Sequence, residues 1–220
     1  MEKYYHFTSF RNLYNNIITS GLIPQHGLRS YTIGDNRSGV FLSKGMDGAI
    51  VMMALIYGLY NKYNGYEGAK VIRDCEKGII KDPVIYERAC LARRIKTFDE
   101  YLGLPGCYLS INNVKRIDGD RIEDCVYKTK IYPQNISVVN LVNETTEEYI
   151  NDVYSVLSYF MSKYSIDYIL SLVPEENKKN IYDLYNYIRF LNIPDYSSYK
   201  LEEVPLYPYN NQIKTLSRKY

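Results

Sequence analysis

His6, in the run Tyr4-Tyr5-His6-Phe7-Thr8-Ser9, and the adjacent carboxylates Glu123 and Asp124 are the side chains best suited to chemistry. A neutral imidazole has one nitrogen that donates and one that accepts, so it can hold a hydroxyl and a backbone group at once without titrating. A carboxylate can stabilise positive charge developing on a substrate. Arg29 and Arg37 share one polar stretch, Phe41 and Ser43 an apolar one, and Tyr57 lies further on. Cys75, Cys90, Cys107 and Cys125 are irregularly spaced, with no C-x-x-C pair and no histidine at ligand spacing. They read as reduced thiols, mostly buried, and no metal is expected.

Elements must bring these groups together. The opening stretch reads as a short strand ending in His6, with Ser9 as the N-cap of a helix that sets Phe10, Leu13 and Ile17 on one face and stops at Gly21, so that His6 is expected at a strand's end against a helix start. A polar, glycine-dotted loop runs from Gln25 to Ser38, then Gly39–Ser43 suits a buried strand and Gly45–Tyr60 a helix. Residues 61–82 read as an exposed, irregular insertion. Asp82-Pro83 can cap a helix through Arg94, although Val84-Ile85-Tyr86 also permits a strand. Strands follow at Cys107–Ile111, Ile122–Lys128 and Ile136–Val142, with a turn at Asp118-Gly119-Asp120.

Thr145-x-x-Glu148 reads as a capping box for a helix carrying Ile150, Val153, Leu157 and Phe160, and Pro174 opens a second helix that Pro194 ends. The expectation is an α+β domain over 1–143 and a helical pair with a surface tail over 144–220, packed on the same domain.

Composition bounds the partners. With 27 basic and 25 acidic side chains the net charge is +2, too near neutral to announce nucleic acid or an anionic membrane. The apolar run Ala49–Tyr60 is too short to cross a bilayer, so no membrane is expected. The opening residues carry no basic stretch followed by an apolar one, so no secretory signal is read and the cytosol is the default compartment. The 26 tyrosines, beside no tryptophan and much Ile, Asn and Lys, read as genome bias, so tyrosine abundance argues for nothing.

Three segments together resemble the histidine-type ADP-ribosyltransferases, the group of the diphtheria-toxin, PARP-like and DarT-like enzymes. They are Tyr5-His6-Phe7-Thr8 with Asn12-Leu13, Ile17 and Gly21-Leu22-Ile23-Pro24; Gly39-Val40-Phe41-Leu42-Ser43 ahead of a helix; and Glu123-Asp124-Cys125-Val126 with Tyr132-Pro133 and Ile136. They occur in the family's order and cover roughly residues 4–142. The resemblance implies a split β-sheet core that binds NAD as substrate between two small sheets, and transfer of ADP-ribose to a macromolecule, whether protein, DNA or RNA. Glu123 is then the catalytic carboxylate, with Asp124 as its rival, and His6 holds a ribose hydroxyl, supported by Thr8. Phe41 or, because many relatives have tyrosine at that position, Tyr57 or Tyr31 stacks on nicotinamide. Ser43 floors the pocket, and Arg29 or Arg37 pairs with the diphosphate. Such an enzyme fits a toxin, an effector or phage defence, acting in its own cytosol or a host's. The alternatives are a catalytically silent version of the fold that binds a nucleotide or a partner protein, and an unrelated interaction protein that works through its helical pair.

Overall fold

The computed structural model describes residues 2–24, 39–64, 66–114, 121–123 and 125–207. Arg29, Arg37, Tyr31, Asp124 and the 118–120 turn lie outside the described residues. The architecture is mixed α and β, built on an antiparallel sheet. Its strands are β1 (Tyr4–Ser9), β2 (Val40–Lys44), β3 (Gly106–Ile111), β4 (Cys125–Tyr127), β5 (Ile136–Asn143), β6 (Glu148–Ile150) and β7 (Lys200–Pro205). They are ordered β4-β2-β1-β3-β5-β6, and β7 pairs with β5.

A helical segment over 10–20, here α1, follows β1. It is α-helical at Phe10–Asn12, π-helical at Leu13–Ile17 and α-helical again at Ile18–Ser20. Next come α2 (Gly45–Asn64), α3 (Tyr66–Glu76), α4 (Pro83–Arg94), α5 (Phe98–Leu102), α6 (Val153–Ser162), α7 (Ile166–Ser171) and α8 (Glu175–Phe190).

Alternation along the strands divides the interior in two. One face carries Tyr5, Tyr108, Val139 and Leu141 against α2, α5, α6, α7 and α8, centred on Phe160. The Phe160 ring lies 5.1 Å from that of Tyr5 and 5.4 Å from that of Tyr108. The opposite face carries Leu42, Cys107, Leu109, Ile111, Cys125, Ile136 and Val138 against Phe10, Leu13 and Ile17 of α1, with Leu22, Ile131 and Leu206. A smaller cluster joins Tyr63 of α2 and Ala89 of α4, with Val71 and Ile72 of α3 packed on it.

Local chemistry explains several boundaries. Ser9 caps α1, its hydroxyl accepting from the Asn12 amide at 3.2 Å. Gly21 stops α1 in the left-handed region at φ 73°, where an added Cβ would collide with the Ile131 carbonyl. Pro174 opens α8. The Pro83–Arg94 stretch is a helix, which settles the alternative left open there.

Other expectations are corrected. The 61–82 stretch is largely helical: α2 runs on to Asn64 and α3 spans Tyr66–Glu76, because Val71 and Ile72 find a tertiary partner in the small cluster. Thr145-x-x-Glu148 does not cap a helix. Asn143 accepts from the Thr145 amide at 3.0 Å in the turn between β5 and β6, so Glu148–Ile150 pairs as a strand and Asp152 caps α6 instead. The expected helical pair is three helices, α6 to α8. α8 ends at Phe190, before Pro194, with Asn192 at φ 53° just beyond it. The tail after Asp195 is not a surface strand of coil: β7 pairs with β5 through six residues and buries Val204 and Leu206. Cys107 and Cys125 are buried, while Cys75 and Cys90 are only half-buried. Among the described residues no helix is long and apolar enough to cross a membrane.

Candidate functional site

β1 is central to the sheet, and its two edges are used unequally. Towards β3 it pairs along its whole length, from Tyr4↔Ile111 to Ser9↔Gly106. Towards β2 it pairs only at Tyr4↔Lys44 and Tyr5↔Ser43. Beyond that rung β2 turns to β4, through Phe41↔Val126 and Leu42↔Cys125. The sheet forks at His6.

The His6 ring fills the place where the β1–β2 ladder would have continued. Its Nδ1 lies 2.9 Å from the Phe41 carbonyl oxygen. A carbonyl can only accept, so Nδ1 carries the proton and donates, and in the neutral ring Nε2 is the acceptor. The backbone group expected on one side of this imidazole is therefore Phe41 O. Tyr5 and Phe7 pack on the α2 side of the sheet and Tyr4 on the α1 side, so alternation puts His6 and Thr8 on the α1 side.

Glu123 is the one charged side chain that is buried among the described residues, at 8% exposure. It lies just ahead of β4, which is shorter than the expected 122–128 strand. The Ile122 carbonyl accepts from the Lys44 amide at 2.6 Å, fixing this segment at the end of β2 where α2 begins. Gly48 permits that approach, because a Cβ there would strike the Ile122 carbonyl. Lys44 itself is committed elsewhere: its ammonium pairs with Glu2 at 2.6 Å, and that hydrogen bond raises its pKa. Among the described residues the Glu123 carboxylate has no hydrogen-bond or ion-pair partner. A carboxylate on a largely buried residue with no partner is something that packing alone does not favour.

Thr8 is buried at 3% exposure, and its hydroxyl oxygen accepts from the Asn12 side-chain amide at 3.0 Å. Asn12 Oδ1 in turn accepts from the Asn16 amide at 2.8 Å. Asn12 entered the sequence reading only through the Asn12-Leu13 match, with no role assigned to it, although the four-residue recurrence of Thr8, Asn12 and Asn16 is visible in the chain. Ser43 is buried in the last paired rung before the fork.

Tyr57 is not brought to this place. It lies about 18 Å along α2 from the end of β2, its ring 4.9 Å from Tyr187 and 4.8 Å from Phe98. It belongs to the aromatic packing of the helical layer, because α2 points away from the fork after its first turn. Thus β1 carries His6 and Thr8 on the α1 side of the sheet, whereas Ser43, opposite Tyr5, and Phe41, which alternates with Val40 and Leu42, turn to the α2 side; the backbone sets Glu123 near the β2–α2 junction, and Tyr57 is excluded. Among the described residues no group of three or more His, Cys, Asp or Glu side chains could hold a metal ion.

Comparison of the chain with protein-family models, with curated proteins and with solved structures finds no match.

Proposed function

We propose that the chain is an NAD-dependent ADP-ribosyltransferase that transfers ADP-ribose to a macromolecular acceptor, a protein side chain, a DNA base or an RNA end. One observation carries this reading: the strand bearing His6 adjoins the strand bearing Phe41, and that strand adjoins the segment bearing a buried, unpartnered Glu123. The three segments that resemble the family, up to 117 residues apart in sequence, thus lie side by side where the sheet opens.

The chemistry follows from those groups. The bond between the ribose C1′ and the nicotinamide nitrogen breaks, nicotinamide leaves as a neutral amide with the bonding pair, and C1′ passes through an oxocarbenium-like state. Glu123 stabilises that cation more strongly than it would in water, because it is buried. The acceptor's nucleophile then bonds to C1′ and loses its proton. His6 Nε2 accepts from a ribose hydroxyl, held in place by the Nδ1–H bond to Phe41 O. Arg29 or Arg37 pairs with the diphosphate.

The test is nicotinamide release from NAD, and labelling of a lysate, by wild type and Glu123→Gln. The expected result is at least a hundredfold loss in the variant, the scale of removing one electrostatic stabiliser. Equal turnover by both overturns the role of Glu123. Binding of NAD without nicotinamide release assigns the fold to a nucleotide-binding module, and no binding overturns the reading entirely.

A further inference from the structure

We infer that Asn12 is a positioning residue that fixes the polarity of the Thr8 hydroxyl, aiming its proton at an acceptor oxygen of the ligand held at His6. This rests on the transferase reading for the ligand, but the geometry stands by itself. A hydroxyl has one proton and two lone pairs. The Asn12 amide occupies one lone pair of Thr8 Oγ1 at 3.0 Å, so the Thr8 proton cannot point along that line. Among the described residues no acceptor receives it. A buried hydroxyl with its donor unspent needs a partner. It lies two residues along β1 from His6, about 7 Å between Cα atoms, on the same side of the strand.

Asn12 is held so that it can impose this direction. Its backbone N–H is bound by Ser9 Oγ at 3.2 Å, and its side-chain oxygen accepts from the Asn16 amide at 2.8 Å, which turns its NH2 group towards Thr8. The π-helical turn Leu13–Ile17, closed by the Ile18 amide on the Leu13 carbonyl, sets Asn16 behind Asn12. Thr8, Asn12 and Asn16 form a chain of donors running from solvent to the fork. At its end Thr8 has its proton to donate, so a ligand that presents an acceptor oxygen there satisfies it.

The experiment measures ADP-ribose affinity by calorimetry for wild type, Asn12→Ala and Asn12→Asp, each in the Thr8 and the Thr8→Val background, with Tm recorded to show that each variant folds. Asn12→Ala frees the hydroxyl to rotate and weakens binding severalfold. Asn12→Asp is isosteric but presents only acceptors, so it captures the Thr8 proton and weakens binding on the order of tenfold further. In the Thr8→Val background the gap between Asp and Ala shrinks to the part due to the added charge. A purely structural role would lower Tm and leave the gap the same in both backgrounds, which overturns the inference. So does wild-type affinity in Asn12→Asp, since the Thr8 proton would then already have pointed at Asn12. Failure of wild type to bind ADP-ribose removes the transferase reading, and the ligand assignment with it, whereas wild-type binding with an unchanged gap removes the role of Asn12 alone.

Discussion

The two edges of β1 differ although the same six residues serve both. The β3 edge is zipped from Tyr4 to Ser9, while the β2 edge closes over two rungs and then opens. Backbone hydrogen-bonding capacity is the same on either side, so the difference comes from side chains. On the β3 edge, Leu109 and Cys107 sit in the apolar cluster beneath α1 and pull the strands together. On the β2 edge an imidazole replaces a backbone donor, satisfying the Phe41 carbonyl with a side-chain N–H and leaving no reason for the strands to close. One edge is paired along its whole length, and the other gives up its ladder at a polar side chain.

That contrast can be broken from the closed side first. Leu109 is fully buried, so Leu109→Ala should lower unfolding free energy in urea by about 2–5 kcal/mol, with an unchanged denaturant slope. A loss below 1 kcal/mol would mean that the closed edge does not dominate stability. A smaller stability effect is expected at the fork. His6→Ala removes one hydrogen bond from a half-buried position and should cost about 1 kcal/mol in the same assay, while nicotinamide release falls far more than stability does. Equal damage from the two substitutions would make His6 a structural seam. The finest test changes no energy at all. Long-range proton–nitrogen correlation of the His6 ring at neutral pH should show the Nδ1-protonated tautomer in the neutral fraction, and an Nε2-protonated ring would reverse the donor assignment and remove the hydroxyl-holding role.

The fork itself was half visible in the sequence. That His6 stands at a strand, that Ser9 caps a helix and that Gly21 ends it follow from residues within a few positions of each other, and the structure has each of them. The strands around Cys107–Ile111 and Ile136–Val142 were also legible, because continuous apolar runs bounded by polar turns suit few other states. Glu148 was misread because Glu at that spacing fits a capping box equally well, and only the neighbouring β5 edge decides for a strand. The α3 helix and β7 were missed because each carries few apolar residues, and what each packs or pairs with lies in another element.

By itself, then, the sequence determined that Ser9 caps α1, that Gly21 stops it and that Pro174 opens α8, and which residue types were available for chemistry, since caps, turn glycines and apolar runs act over one or two turns of chain. Only the tertiary structure decided that Phe41 would contribute its carbonyl to His6, that Glu123 would be buried at the β2–α2 junction, and that Tyr57 would be drawn into the helical layer. Those outcomes depend on which strand lies beside which. Strand adjacency is fixed by burial summed over the whole sheet, and no local stretch of chain encodes it.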